Sequence, residues 1–472
     1  MALYYFLCQF RDNYMMLNIP NKDFNNMQPL HKEQKEAIAL LSIGTFLEHF
    51  DLLLYIHMIP ILNEVFFPKI DPKFATLLSG LVFCSTYICR PFGALIFGYL
   101  GDNFGRKIPV VITTFIMALS CITIANLKSY AEIGIAATWI VTMCRLGQGI
   151  SSLGEIVGAE IYLTESIKPP QQYFAVSLMA FSAASGCAAA LGIASLVTSF
   201  GFNWRMGFWF GACIALVGVI ARTTLKETKD FADAKFRIKN QLEKNNISIN
   251  IIKNNPVVKE KINKTIILAY SLIHCGWPLC FYLGYIHCAS ILKNSFGYTS
   301  EQVIHHNFML SIVQLFGFFF LRIYLSRKME PLKILKIILS IFSGFILFLP
   351  YLLNNCSNPM FLFIIQSFII IFAIDMAPGT SIFYSYFPIF KRFTYAGLAF
   401  GISRAIINVA ITFGCIFFTE KWGYYALMIV IIPILIGYTF AIYYFDDLNK
   451  AIENYHKKNN NIVPLTNLTE AG

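Results

Sequence analysis

Apolar residues along this chain come in long runs rather than in strict alternation or narrow helical stripes. A helix needs about 20 apolar residues to cross the hydrocarbon core of a bilayer. Twelve such runs are present, near 37–63, 75–100, 108–127, 134–160, 174–200, 206–225, 265–291, 305–326, 332–353, 360–385, 394–419 and 423–445. They predict an all-α membrane protein with twelve transmembrane helices. Two blocks of six runs flank a lysine-rich polar stretch, 226–264, a layout that points to two pseudo-symmetric six-helix bundles. The expected organisation is a cytoplasmic segment 1–36, a first bundle 37–225, a cytoplasmic central loop 226–264, a second bundle 265–445 and a cytoplasmic tail 446–472. The tail is Lys/Asn-rich and is expected to be disordered after Asp446.

Composition agrees. The chain is 57% hydrophobic and 13% charged, with mean hydropathy +0.60, values of a chain whose solvent is mostly lipid. Its net charge of +11 sits between the apolar runs, so it suits a membrane surface rather than nucleic acid. One set of loops holds Arg106, Lys107, Lys168, the central loop, Arg327, Lys328, Lys391 and Arg392. The other holds only Lys69, Lys73, Lys128, Arg205, Lys293 and Lys421. The excess predicts that both termini are cytoplasmic. The Asn-, Ile- and Lys-heavy usage suggests an AT-rich bacterial genome, hence a bacterial inner membrane. The sequons at Asn246 and Asn467 would then face the cytoplasm and stay unmodified. The twelve cysteines have no zinc or redox spacing, and no metal or cofactor is expected. No nucleophile–base set or phosphate-cradling loop appears, which argues against an enzyme.

Charge inside a bilayer is costly, so each intramembrane ionisable residue is a candidate site. The first run reads IGTFLEHFDLLLY. Glu48 and Asp51 share a face, with Tyr55 one turn beyond Asp51. Eleven residues at about 1.5 Å each place Glu48 roughly 16 Å deep, near the midplane. The fourth run, RLGQGISSLGEIVGAE, puts Arg145 at similar depth, where it can pair with Asp51 or Glu48. A carboxylate whose contact with an arginine breaks and reforms can carry a proton, because its proton affinity follows the contact. Arg145 either takes part in such an exchange or forms a static pair that locks the bundle, and Glu155, lower in the same run, either joins this machinery or serves as static structure. On the seventh run Trp277, Phe281 and Tyr285 recur every four residues, beside the helix-kinking Pro278. Such a wall either suits a quaternary ammonium group or is ordinary packing. Asp375 and Arg404 either pair with each other or line the cavity, where Arg404 could hold a substrate carboxylate. Arg90 reads as structural and outside the midplane. His274, His287, His305 and His306 lack metal spacing and read as packing or surface groups.

Residues 90–107 read RPFGALIFGYLGDNFGRK. Gly98, Asp102, Gly105, Arg106 and Lys107 fit the pattern G-x-L-x-D-x-x-G-R-K, which resembles the loop between helices 2 and 3 of the major facilitator superfamily. That resemblance implies a cytoplasmic conformational latch, with Asp102 accepting hydrogen bonds at a nearby helix N-terminus. Arg145-Leu146-Gly147-Gln148-Gly149 resembles the superfamily's R-x-x-Q-G signature on helix 4, which is linked to proton coupling and implies that part for Arg145, while Gln148 and Tyr55 are expected to bind substrate. An ordered set, Glu48-His49-Phe50-Asp51, Arg90 to Gly93, Gly154-Glu155, Asn203-Trp204-Arg205 and Leu225 to Thr228, is similar to the metabolite:proton symporter family over about residues 40–230. That family includes proline/betaine transporters and α-ketoglutarate and citrate permeases. Later, Tyr386 to Phe393 resembles its helix 10–11 loop. His49 and Phe50 stand where the family usually has Trp or Tyr. The second-half latch is reduced to Leu325 to Glu330 without its glycines, and the long coiled-coil tail of some members is missing. The resemblance implies proton-coupled symport of a small zwitterion or organic acid by alternating access. The partners are then a small solute, protons and the lipid bilayer. The rival readings are an uncoupled facilitator of the same fold and a non-transporting membrane sensor.

Overall fold

The computed structural model describes residues 29–67, 86–228, 231–233, 235–236 and 262–460. The start of the second run (75–85), most of the central loop, Lys69 and Lys73, both sequons and the extreme chain ends lie outside the described residues. Among the described residues the regular structure is helical throughout. Each predicted run carries a helix. These are α1 (Lys32–Phe66), α2 (Arg90–Phe104), α3 (Lys107–Asn126), α4 (Ile135–Leu153, continuing through Gly154–Gly158 to Ala159–Ser166), α5 (Gln171–Phe200) and α6 (Arg205–Thr223) in the first half. In the second half they are α7 (Lys264–Ile273, resuming at Gly276–Phe281 and running on to Phe296), α8 (Ser300–Phe318, continuing to Tyr324) and α9 (Pro331–Asn354). α10 (Pro359–Ile371 and, after a break, Thr380–Ser385), α11 (Arg392–Trp422) and α12 (Met428–Asn460) complete it. Eight of these helices are long and apolar enough to cross a membrane.

Local chemistry sets the boundaries. Gly297 ends α7 in the left-handed region (φ 68°), and Thr299 with Gln302 forms a capping box that starts α8. Pro331 occupies the first turn of α9, where its missing N–H costs nothing. α7 breaks at His274–Cys275 because Pro278 offers no N–H to the His274 carbonyl four residues back. α10 breaks over residues 372–379, which include Pro378. α12 runs through Asn460, so the disorder expected after Asp446 is corrected. Asp446 pairs with Lys336 at 2.5 Å and with Lys450 at 2.6 Å, which anchors the extra turns.

Large apolar side chains divide by solvent. Phe92, Leu95, Tyr99, Phe115 and Leu119 lie exposed on the outer faces of α2 and α3, as lipid-facing residues should. Between the bundles, Ala94, Phe97, Leu153 and Val157 of the first join Phe393, Ala396 and Phe400 of the second in one apolar seam. Small residues let helices close up, as where α5 crosses α1. A Cβ on Gly186 would stand 2.2 Å from the Phe46 carbonyl oxygen. Both ends of the described chain lie at the latch end, since Glu33 pairs with Lys226 after α6 (2.7 Å) and Tyr386 bonds Asn449 (3.1 Å). Gly186→Ala is expected to force α1 and α5 apart and cost about 1–3 kcal/mol. The purified protein should then melt several degrees lower in detergent, and an unchanged melt would remove this contact from the packing argument.

Candidate solute cavity and latch

The residues that open the chain's chemistry come together in two places. One is a cavity of about 120 Å³ between the bundles. α1 contributes His49 to its wall, α2 Arg90, α4 Glu160, α7 His274, Trp277 and Phe281, the α10 break Asp375, and α11 Arg404. Beside it, Arg145 of α4 donates from Nη1 to Asp51 at 2.9 Å and to the Gln148 Oε1 at 2.7 Å. The Tyr55 ring lies under that guanidinium, 3.9 Å from its centre. Of the two partners open to Arg145, the structure selects Asp51. Glu48 instead accepts from Arg90 at 3.2 Å, and both are buried.

Arg90 therefore differs from its reading as an outlying structural residue. α2 runs on to Phe104, so fourteen residues at about 1.5 Å place Arg90 roughly 21 Å from the latch end, deep in the bundle. Trp277, Phe281 and Arg404 line the cavity, whereas Tyr55, Gln148 and Tyr285 do not. Tyr285 donates to Gln314 at 2.7 Å. Asp375 and Arg404 form no ion pair. Asp375 lies 3.7 Å from the buried Arg322, which also donates to the carbonyls of Ala377 (2.7 Å) and Ala373 (2.5 Å) and so satisfies the broken turn of α10. Glu155 points away from the cavity into the first bundle, where it meets Arg222, Thr113 and Thr114.

The sequence pattern alone gives no role to Arg222, Arg322, Glu160 or Glu165. The two arginines near helix ends look like interfacial anchors in one dimension. The acids had a signal, because Glu155, Glu160 and Glu165 repeat every five residues along α4. Five residues make about one and two-fifths turns, so successive members face different ways. Glu160 looks into the cavity and accepts the Tyr384 hydroxyl at 2.6 Å. Glu165 looks into the latch.

The latch is the second place. Asp102 accepts the backbone N–H groups of Phe393 (3.1 Å) and Thr394 (2.9 Å), at the N-terminus of α11, where the helix dipole favours an anion. Arg106 donates to Asp102 at 2.9 Å, to Glu165 at 3.0 Å and to the Ile389 carbonyl at 2.5 Å. Arg392 reaches Glu165 from the other bundle at 3.0 Å. Burial would push the Arg106 guanidinium down, but the Glu165 and Asp102 carboxylates outweigh it and hold it above its ordinary value. Gly105 turns with φ 118°, a conformation side chains rarely adopt, and Glu227 fills the space a Cβ would need. Glu227 also accepts the N–H groups of Arg106 (2.8 Å) and Lys107 (3.4 Å), capping α3. Gly98 lies against Thr394. The latch end of the two bundles is thus shut. Among the described residues there is no His/Cys/Asp/Glu cluster fit for a metal.

Two helical bundles around a cavity lined by charged and apolar side chains, closed at one end by an ion-pair latch, form an architecture that membrane transporters share. The chain matches the family model of the Major Facilitator Superfamily over residues 41–414 and belongs to that superfamily. It is 32% identical over 204 residues to the proline/betaine transporter of Salmonella typhimurium LT2, covering 42% of this chain and 41% of that protein. With the inner membrane metabolite transport protein YhjE of Escherichia coli K12 it shares 34% over 222 residues, 45% of this chain and 50% of that one. The chain thus spans half or less of the length of these relatives. Among solved structures it resembles the proton:xylose symporter XylE of E. coli, with TM-score 0.69, 14% identity, and coverage of 88% of this chain and 96% of that one. It also resembles the human organic anion transporter MFSD10, with TM-score 0.62, 12% identity, and coverage of 89% and 100%. At such identities the likeness is one of fold. Homologues and fold are those of transporters, not enzymes.

Glu165→Gln removes the charge that Arg106 and Arg392 share, and losing one partner of a buried pair costs a few kcal/mol. The shut end should open more often. Labelling of Cys187, which lines the cavity, by an impermeant thiol reagent applied from the latch side should rise roughly tenfold or more. Unchanged labelling, followed by mass spectrometry at that residue, would count against a latch.

Proposed function

We propose that this protein is a proton-coupled symporter that carries a small zwitterion or organic acid into a bacterial cell, with the latch end and both termini in the cytoplasm. The observation that carries this reading is the pair of buried ion pairs on α1, Asp51–Arg145 at 2.9 Å and Glu48–Arg90 at 3.2 Å. Arg90 is itself part of the cavity wall. Ionised, each carboxylate needs its guanidinium. Protonated, it releases it. A solute carboxylate drawn into the cavity also nears Arg90 and weakens its hold on Glu48, so solute binding favours proton uptake at Glu48. Asp51 and Arg145, with Tyr55 and Gln148 supporting the guanidinium, form the second exchangeable contact. Protonation and solute together then favour release of the latch, and the bundles rock about the cavity.

The names of the curated relatives support a zwitterionic solute such as proline or betaine, and the pairs themselves support coupling. A membrane potential of 100 mV supplies about 2.3 kcal/mol per charge moved, which favours cotransport of a proton with a neutral solute. Uptake into energised vesicles is expected to be concentrative and to collapse on adding a protonophore. Concentrative uptake that survives the protonophore would defeat the coupling, and counterflow without any uphill uptake would identify an uncoupled facilitator. Asp51→Asn and Arg145→Ala should each abolish accumulation by at least about tenfold while leaving the protein folded in the membrane. Wild-type accumulation in either variant would remove that residue from the mechanism.

A further inference from the structure

The charges around the cavity do not all cancel against each other locally, and the remainder bears on which solute fits. Glu48 is matched to Arg90, and Asp375 lies against Arg322. Two cavity-lining charges remain, Arg404 on α11 and Glu160 on α4. Neither has an ion-pair partner within 4.0 Å among the described residues. Arg404 leans on the Phe400 ring at 5.4 Å, and its Nε is buried with no hydrogen-bond partner. The Nε2 of His274, in the same wall, is likewise unpartnered. The Glu160 carboxylate has the Tyr384 hydroxyl at 2.6 Å and no cation. An isolated charge of either sign is unfavourable away from water, and a ligand bearing the opposite charge relieves it.

A solute that satisfies both must carry a negative and a positive group. A dicarboxylate offers Glu160 no counter-charge. A simple cation would leave Arg404 unmatched. The Trp277 and Phe281 rings in the same wall offer π faces to an ammonium or alkylated ammonium group. We propose that Arg404 and Glu160 are the two poles of the solute site. Arg404 takes the carboxylate, and Glu160, positioned by Tyr384, takes the cationic end, so the protein selects zwitterions over organic acids. This rests on reading the cavity as the solute site. Because one pole belongs to each bundle, the bound zwitterion bridges them and favours closure around itself.

The test is equilibrium binding to the purified full-length protein without a proton gradient. The probes are glycine betaine, L-proline, choline, succinate and 3,3-dimethylbutanoate, the last having carbon in place of betaine's nitrogen. The wild type is expected to bind at least one zwitterion roughly tenfold or more tightly than its singly charged or dianionic counterparts, because a site built for a group rejects analogues that lack it. Glu160→Gln should lose that preference while still binding 3,3-dimethylbutanoate at least as well as the wild type, which also reports that it is folded. Arg404→Gln should lose betaine and retain choline. Tyr384→Phe should weaken only ligands with a cationic end. The proposal is overturned if the wild type binds no zwitterion, prefers succinate, or treats betaine and its carbon isostere alike. It is also overturned if Glu160→Gln weakens every probe equally. Binding is read without a gradient, so failure here leaves proton coupling standing, and failure of the protonophore test leaves the two poles standing.

Discussion

The requirement that a buried charge find its counter-charge organises this molecule. In an apolar medium an unmatched ion costs several kcal/mol, so ionised side chains recruit one another across helices. Arg90 holds Glu48, Arg145 holds Asp51, Arg222 holds Glu155, Arg322 lies by Asp375, and Arg106 with Arg392 shares Glu165. These contacts differ in what they connect. Arg222–Glu155 ties helices within one bundle and does not border the cavity. Arg392–Glu165 ties one bundle to the other, so it must break if the bundles are to part. Position within the architecture, rather than the chemistry of the pair, separates a lock from a moving part.

Much of this was readable in one dimension because bilayer physics writes it there. Run lengths gave the helices, since a lipid-crossing helix cannot be short or polar. Counting rise placed Glu48 and Arg145 at one depth and left Asp51 or Glu48 as the partner, and Arg145 meets Asp51. Asp102 was expected at a helix N-terminus and caps α11. What escaped was information that only tertiary contact supplies. Arg90 was misplaced because the second helix continues through the latch residues to Phe104, beyond the apolar run from which depth was counted. Arg222 and Arg322 have the look of residues at a water boundary, yet neighbouring helices cover both completely. The α7 aromatics share a helix, but the wide turn over Tyr282–His287 separates Tyr285 from the cavity that Trp277 and Phe281 line.

Irregular backbone is concentrated where the cavity is. α7 breaks at His274–Cys275 and α10 over 372–379, and both breaks contribute to its wall. Free carbonyls are tolerated at that depth because Arg322 and the Tyr438 hydroxyl serve them, the latter at 2.6 Å from the Asp375 carbonyl. The second bundle thus gives up regular hydrogen bonding to shape a pocket, while the first presents side chains to it from α1, α2, α4 and α5.

The five-residue spacing of acids on α4 has a mechanical corollary. Glu160 and Glu165 belong to the same short stretch of helix, about 7–8 Å apart along its axis. One touches Tyr384 at the chamber and the other Arg392 at the bolt, and both of those lie on the opposite half of the protein. Such a stretch is too stiff to bend between neighbouring turns, so the chamber and the bolt ride on one lever. A tug on either is felt by the other without any relay through intervening side chains.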